Sequence, residues 1–598
     1  PLAILILEQQ IESGDPAEYA TKYLNPEKEV NTAEDALAGA MDIVAEVISE
    51  DAEVRKIIRN RTRQHGSLRS EAKDPEQKSE YELYYDFHEP VRYIVPHRIL
   101  AINRGEKEDI LKVHVETGIE EMFAEIEKLH ITNEKSIFTQ YLKAAIADAY
   151  KRLIAPSIER EIRNELTEKA DEHAINVFAT NLRNLLLQSP VKGRKILGID
   201  PGFRTGCKIA VIDETGKYLE GDTIFPHPPQ NQVFEAKTLL RKLIENHQID
   251  IIAIGNGTAS RETEMLVSEL IREIKEQNDR EINYIIVNEA GASVYSASPV
   301  AKKEFPDLEA SMRGNISIAR RLMDPLAELV KIDPKSIGVG LYQHDVNQKK
   351  LGETLQVVVE SAVNLVGVDL NTASASLLKY ISGLTSRTAE NIVKYRDTHG
   401  KFHQRSQLNE VSGLGEIAFQ QAAGFLRISN GDNPLDNTSI HPESYDATIK
   451  LLRKFKVHDN PVNWRTLRSL LLKEKTDIGE LAKQIGVGEP TLEDILINLE
   501  KPGRDPREDM PKPIFRSDVL KLEDLREGMV LRGTVRNVVD FGAFVDIGVK
   551  RDGLVHVSEM GQKFVKNPHK VVSVGDTISV KIIGIDLEKG RVKLSMKI

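Results

Sequence analysis

Residues 196–288 carry a succession of strand and helix signals that restricts the fold more than any other part of the sequence. Apolar segments at 196–200, 207–213 and 218–225 predict three consecutive strands, the first of them buried. Two helix–strand pairs follow, with helices at 234–247 and 262–276 and strands at 249–255 and 282–288. Strands that alternate with helices in this way predict an α/β domain rather than an all-helical or all-β one.

The flanking regions have different patterns, so the chain of 598 residues is expected to contain several domains. We predict a helical scaffold at 1–190, the α/β domain at 191–330, paired helical hairpins at 331–430, a helical segment with linker at 431–520 and a β-domain at 521–598. Segments 530–539, 542–547, 553–557, 577–585 and 591–596 predict a five-stranded barrel of the OB-fold type. The predicted fold class is therefore multidomain, mainly α, with an RNase H-like α/β domain and a C-terminal OB-fold barrel.

Within the helical scaffold, Phe138, Leu142, Ala145, Ala149 and Leu153 are predicted to share one buried helix face. The basic cluster at 55–63 is interpreted as a solvated helix face rather than a phosphate site. The segment 501–507, rich in Pro and Gly, is interpreted as a stiff linker.

The net charge of −11 is unevenly distributed along the chain. Residues 1–50 hold eleven acids and two bases, whereas residues 528–598 hold twelve Lys or Arg against seven Asp or Glu. A basic C-terminal module can attract a nucleic-acid backbone even though the whole chain is acidic.

Cysteine content and hydropathy limit the environment of the chain. A single cysteine, Cys207, excludes a disulfide framework and a Cys-rich metal site, so we expect a cytoplasmic protein. No apolar run reaches the length of a membrane-spanning helix. Because the sequence does not begin with Met, we expect it to start inside a longer polypeptide.

The C-terminal segment resembles the S1 RNA-binding domain in its motifs 541–546, 553–558 and 591–595. Phe541, Phe544 and His556 can present flat rings on which unpaired bases stack at about 1–3 kcal/mol each. The alternative is that both Phe rings fill the barrel core. The resemblance also implies that Asp586 and Arg591 lie near the ring-bearing face.

An internal repeat at an offset of 30 residues resembles paired helix-hairpin-helix motifs, with 378–385 matching 408–415. Gly383, Gly413 and Gly415 would turn the chain so that backbone N–H groups can bind phosphate. Thr385 replaces the second glycine of the first copy, and Phe419 stands where a small residue is usual. A purely structural helix pair therefore stays an alternative.

The α/β segment resembles the RuvC and YqgF-type nuclease domains through the motif at 199–206, which contains Asp200. Those nucleases hold two metal ions with three or four acids. Glu289 matches the second acid by position, but Asn315 stands where the third is expected, and Asp324 should point elsewhere. We predict a degenerate domain with Asp200 and Glu289 as vestiges, no catalytic residues, no metal and no cofactor. A phosphate-binding role for the loop 255–260 is a weaker hypothesis.

Residues 478–492 read like a helix-turn-helix, but Glu489, Glu493 and Asp494 would repel phosphate at the start of its second helix, so we interpret it as structural.

The order of modules, with stretches such as 97–106, 324–331, 342–345, 368–373 and 502–507, resembles the Tex family of bacterial transcription accessory proteins over essentially the whole chain. The resemblance implies binding of RNA or single-stranded DNA without known nuclease activity, and a link to transcription. From the absence of a long apolar run we expect no membrane association. Family members also carry a helix-turn-helix-like segment before the point where this sequence starts. The expected protein partners are the transcription or translation machinery, and the alternative function is a metal-dependent nuclease of the RuvC or RNase H class.

Overall fold

The computed structural model describes residues 1–278, 280–457, 461–474, 476–510, 513, 515, 525–549, 552–562, 565, 567–586 and 591–598. The chain forms two compact units. The first comprises residues 1–176 and 342–348, and the second comprises residues 177–341 and 349–598.

The N-terminal part of the chain is helical around one small sheet. Its elements are α1 (Leu2–Glu8), α2 (Pro16–Ala20), α3 (Ala33–Glu50), α4 (Ala52–His65), β1 (Ser67–Ala72), β2 (Asp86–Pro90), α5 (Pro96–Lys107), β3 (Leu111–Glu116), α6 (Ile119–His130), α7 (Thr139–Asp148), a π-helical turn (Ala149–Ile154) and α8 (Ala155–Leu186). The antiparallel sheet has the order β2-β1-β3. The expectation of helices alone up to residue 190 is therefore wrong for this segment, because its strands are short and carry charged residues that hide the apolar alternation.

The π-helical turn changes which residues are buried after α7. Phe138, Leu142, Ala145 and Ala149 are buried as predicted, but Ile154 is buried in place of the half-buried Leu153. A π-turn contains more residues than an α-turn, so it rotates the following positions around the helix axis.

The α/β domain comprises β4 (Ile196–Asp200), β5 (Cys207–Ile212), β6 (Tyr218–Ile224), α9 (Val233–His247), β7 (Ile251–Gly255), α10 (Ser260–Asn278), β8 (Asn283–Val287), α11 (Ala292–Ala297), α12 (Pro299–Glu304), α13 (Ala310–Met323) and α14 (Pro325–Leu329). The sheet order is β6-β5-β4-β7-β8, with antiparallel pairs among the first three strands and parallel pairs from β4 to β8. Strand β4 is the central strand and is buried on both faces from Ile196 to Ile199. Asp200 lies at its carboxyl end.

The hairpin region and the next helical region follow. They contain α15 (Gln348–Val366), β9 (Val368–Asp369), α16 (Ala375–Leu378), α17 (Ser386–His399), α18 (Glu416–Ala422), β10 (Leu426–Arg427), α19 (Tyr445–Lys454), α20 (Pro461–Trp464), α21 (Leu467–Lys473), α22 (Ile478–Ile485) and α23 (Glu489–Glu500).

The C-terminal domain is a closed barrel of β11 (Val530–Val539), β12 (Gly542–Asp546), β13 (Gly553–His556), β14 (Thr577–Asp586) and β15 (Arg591–Ser595), in the order β11-β12-β13-β15-β14. Its core consists of aliphatic residues such as Val535, Val545, Val555, Val580 and Leu594. The predicted fold class is confirmed: the chain is multidomain, with a mixed α/β sheet and a C-terminal barrel.

The segment 501–507 is not an exposed spacer, contrary to the linker interpretation. Asp505 and Arg507 are buried, and Arg507 donates hydrogen bonds to both carboxylate oxygens of Asp324 at 2.7 and 3.0 Å. A sequence rich in Pro, Gly and charged residues is typical both of a linker and of a turn packed against another domain. The two are distinguished only by the contact with a residue distant in sequence, here Asp324. Pro511 lies outside the described residues.

Candidate nucleic-acid interface

The outer face of the barrel carries the aromatic rings predicted from the sequence. Phe541 and Phe544 are half-buried, lie outside the aliphatic core and meet edge to face, with ring centroids 6.2 Å apart. His556 is exposed and pairs with Gly542, two residues before Phe544 on β12. Because opposed residues and those two positions away share a face of a sheet, Phe544 and His556 lie on the same side. The alternative that both Phe rings fill the core is wrong.

The register extends this surface across four strands. Phe544 is opposite Asn537 on one side and Leu554 on the other, and Leu554 is opposite Lys593. We call this row, together with Phe541 and His556, the barrel face. The sequence motifs do not single out Lys593, although alternation from Arg591 along β15 places it on the outside.

The imidazole of His556 is oriented by its own backbone turn. Its Nδ1 accepts a hydrogen bond from the Ser558 N–H at 3.3 Å and lies 2.9 Å from Ser558 Oγ. A nitrogen that accepts from an amide carries no proton in the neutral ring, so Nε2–H is the free donor. The ring can therefore both stack and donate a hydrogen bond.

Asp586 and Arg591 face each other at the end of the β14–β15 pair, and both are exposed. Arg591 is two residues before Lys593 and so projects on the same side of β15. Several of the cations behind the predicted positive charge of this module (Lys550, Arg551, Lys563, Lys566 and Lys589) lie outside the described residues.

The barrel is seated within the second unit by buried polar contacts. Arg536 donates to Asp546 Oδ2 at 2.7 Å and to the Ile286 carbonyl of β8 at 3.3 Å. Asn181 donates from Nδ2 to Asn537 Oδ1 at 3.0 Å, next to Phe544 on the barrel face. The barrel face is therefore held in a defined orientation relative to the sheet edge.

The two helical hairpins are related by the sequence offset of 30 residues and also by their contacts. Gly383 and Gly413 both have φ of +82°, which favours glycine. A Cβ on Gly383 would meet Ala418 and Gln421 of the second motif. A Cβ on Gly413 would face Thr388 and Asn391 of the first motif, which are the positions 30 residues before Ala418 and Gln421. Each hairpin thus packs on the helix of the other.

The hairpins differ in what they expose. The first hairpin exposes Thr385, Ser386 and Arg387, and Thr385 caps α17 with a capping box. The second exposes Gly415, Glu416 and Ile417 at the start of α18, a helix of seven residues. Phe419 is half-buried.

The candidate metal site of the α/β domain has two carboxylates. Burial raises the pKa of Asp200, while burial and the neighbouring charge of Asp200 raise the pKa of Glu289. The Glu289 carboxylate lies against Gly255 and Gly257, so this loop makes room for a carboxylate, which argues against the phosphate hypothesis for it.

The third position does not supply a carboxylate. Asn315 is fully buried and donates from Nδ2 to the Gly198 carbonyl at 3.2 Å. Asp324 caps α14 and is ion-paired to Arg507, so it points elsewhere as predicted. Among the residues that the structure describes, no three His, Cys, Asp or Glu side chains form a group able to hold a metal ion.

Two further sequence interpretations concern charged helices. Arg59, Arg61 and Arg63 of α4 form ion pairs with Glu161, Glu125 and Glu165, so these charges are compensated internally. Glu489, Glu493 and Asp494 are exposed at the start of α23, as the structural interpretation of that segment requires. In the described part of the chain, no helix is both long and apolar enough to cross a membrane.

Comparison with protein families matches five segments of this architecture. Family models described as Tex central region-like, Tex protein YqgF-like domain, helix-hairpin-helix motif, HHH domain and S1 RNA binding domain match residues 12–178, 194–323, 363–427, 433–507 and 524–597, respectively. The interpretation of the segment after residue 430 as helices and linker misses the match at 433–507.

Relatives extend over nearly the whole chain. It is 54% identical over 580 residues to the uncharacterized protein YdcI of Bacillus subtilis, covering 96% of this chain and 80% of the relative. It is 44% identical over 609 residues to the transcriptional accessory protein Tex of Neisseria gonorrhoeae, covering 100% and 78%. The human S1 RNA-binding domain-containing protein 1 is 36% identical over 647 residues, covering 96% and 64%.

Proposed function

We propose, given that this chain belongs to the Tex family, that it is an accessory factor of transcription that binds single-stranded RNA or DNA on its barrel face. The observation that carries the proposal is the barrel face itself, where two Phe rings and a His ring lie outside an aliphatic core. Stacking on such rings tolerates any base, so we expect little sequence preference. The transcription or translation machinery as protein partner, and a cytoplasmic location, belong to the same proposal.

The test is the affinity of the full chain for single-stranded RNA and DNA in wild type and in Phe541→Ala/Phe544→Ala/His556→Ala. Since stacking contributes about 1–3 kcal/mol per base, we expect the affinity to fall at least about tenfold. Val530→Ala is the control, because its side chain is 50% exposed at the start of β11, seven residues before Asn537 of the barrel face. Equal affinity of the triple variant and wild type would contradict the proposal.

The first helical hairpin is proposed to contact the nucleic-acid backbone. The capping box satisfies the N–H groups of Thr385 and Thr388, which leaves the N–H groups of Ser386 and Arg387 at the start of α17 for a phosphate. The Arg387 side chain beside them is exposed. Such contacts carry no sequence information and depend on salt. Arg387→Ala should weaken binding of every sequence to a similar degree and reduce the salt dependence, whereas Lys454→Ala on α19 should change neither.

We also propose that the YqgF-like domain does not cleave nucleic acid. The proposal is supported by the amide of Asn315 at the third position, its hydrogen bond to Gly198, and the pairing of Asp324 with Arg507. An amide is a poor substitute for a carboxylate in binding a hard cation. Branched DNA, RNA and hybrid substrates with Mg²⁺ or Mn²⁺ should remain intact, and cleavage that disappears in Asp200→Asn would establish the nuclease alternative instead.

A further inference from the structure

A column of three aromatic rings runs from the core to the surface at the end of α17. Tyr395 is stacked on Phe402 with centroids 5.1 Å apart and planes at 22°, and on His399 with centroids 4.3 Å apart and planes at 16°. Phe402 is buried, Tyr395 is half-buried and His399 is exposed. The column therefore ends in an imidazole whose outer side faces solvent.

The outer ring is held in place before any ligand arrives. Its Nδ1–H donates to the Tyr395 carbonyl at 3.2 Å and lies 2.8 Å from Thr398 Oγ1. Tyr395 is itself fixed by its hydroxyl, which donates to Glu410 at 2.5 Å. A flat ring that is already immobilised loses little side-chain entropy when another ring stacks on it.

Charge does not dominate this part of the surface. Lys394 and Lys401 are exposed near the column, as are Glu390, Asp397 and Glu410. Two cations against three anions give no positive excess, so stacking rather than charge would supply the binding free energy at His399.

The column and the first hairpin lie on one helix. Thr385 caps the start of α17, and His399 is its last residue. At a rise of about 1.5 Å per residue the two ends are roughly 20 Å apart. A strand with about 3.4 Å between successive stacked bases spans that distance in roughly six nucleotides.

We propose that the outer face of His399 is a second stacking platform, which takes an unpaired base of the strand whose backbone is bound at the first hairpin. The inference rests on the proposed binding of single strands and adds a base contact in a region where the hairpins alone would contact only backbone. It assigns a binding role to the end of α17 that is separate from the barrel face.

The test uses short uridine oligonucleotides in which one position at a time is 2-aminopurine, a base whose fluorescence falls when it stacks. Full-chain wild type, His399→Ala, His399→Phe and the control His403→Ala are compared for affinity and fluorescence at every probe position. His403 is exposed nearby but is not part of the column.

In wild type we expect one cluster of quenched positions from the barrel face and a second from His399. Only the second should be lost in His399→Ala, with roughly fivefold weaker binding, and it should be retained in His399→Phe and His403→Ala. The weakening should be the same at low and high salt. Wild-type binding with identical quenching and affinity in His399→Ala would overturn the platform, while a wild type that binds no single strand would overturn the proposed function.

Discussion

Several arginines that look like nucleic-acid contacts in the sequence serve the protein's own backbone. Arg405 is only 1% exposed and donates to the carbonyls of Leu426 at 2.6 Å and Ile440 at 2.8 Å. Arg396 donates to the carbonyls of Leu370 and Ala373, and Arg427 donates to that of Arg504. Residues 377–428 hold seven Lys or Arg against four Asp or Glu, and these three arginines are used internally. Net charge therefore overstates what the region offers to a nucleic-acid backbone, and the exposed Arg387 is the better candidate for that contact.

Asp200 offers a prediction at the scale of one residue. Its folded-state pKa is raised by burial, so its contribution to stability is fully present below the unfolded-state pKa and is lost as the pH rises through the folded-state value. Asp200→Asn removes the buried charge and also relieves Glu289, whose pKa Asp200 raises.

We therefore expect Asp200→Asn to increase the melting temperature at pH 7, and the increase to shrink as the pH is lowered towards 4. Thermal unfolding of both proteins across this pH range measures the effect. Asp213→Asn is the control and should lower the melting temperature at pH 7. Burial opposes the charge of Asp213, but hydrogen bonds from Thr215 and Lys217 outweigh it and lower the pKa of this carboxyl. A less stable Asp200→Asn protein at pH 7 would show that the carboxylate has a stabilising partner.

The hairpin pair shows how one element depends on its repeat. Gly383 needs both its positive φ and the absence of a side chain, because a Cβ would lie 2.6 Å from Gln421 Cβ in the other motif. Gly415 has φ of −83°, and a methyl group added to it would meet no atom within 4 Å. Gly383 corresponds to Gly413 in the repeat, whereas Gly415 corresponds to Thr385, and the two motif glycines have different physical roles.

Gly383→Ala should accordingly lower the free energy of unfolding by about 1–3 kcal/mol, through backbone strain and overlap with Gln421. Gly415→Ala should change it by less than about 0.5 kcal/mol. Urea denaturation of both variants measures the difference. Equal destabilisation would mean that the close packing of the two hairpins is not maintained in solution.

Within the second unit, the domains are joined by buried ion pairs and by the hydrogen bonds that Asn181 and Arg536 make between the barrel and the rest of the unit. Arg507, 3% exposed, bridges Asp324 of the α/β domain and Asp505 of its own turn. Its hydrogen bonds and charge hold the pKa of Asp505 at about 2, against the cost of burial. The bridge therefore couples the end of the segment matched as an HHH domain to the α/β domain.

Arg507→Met should destabilise the protein by about 3–5 kcal/mol at pH 7, because two carboxylates lose their partner. A depressed pKa gives stability that is present above the unfolded-state value near 4 and is lost as the pH falls towards 2. The difference in the free energy of unfolding between wild type and Arg507→Met should therefore decrease from about pH 4 to about pH 2, as measured by chemical denaturation. Arg504→Met, which removes a more exposed arginine three residues earlier, is the control.

Local pattern was sufficient for much of this protein. The strands of the α/β domain, the barrel, the 30-residue repeat and the rings Phe541, Phe544 and His556 were all predicted, because apolar alternation, turn residues and motif spacing are properties of short segments. The sequence also showed that Asn315 replaces the third acid of the nuclease domains and that Asp324 lies too far along the chain to supply it.

Tertiary structure decided what depends on a distant partner. It showed the sheet within residues 1–116, the burial of Arg507 against Asp324, the internal use of Arg405 and the column that ends at His399. A charged or aromatic side chain has the same sequence signature whether it faces solvent, a carbonyl or another ring. Only the fold brings the partner into contact and so determines whether that side chain stabilises the protein or is available to bind.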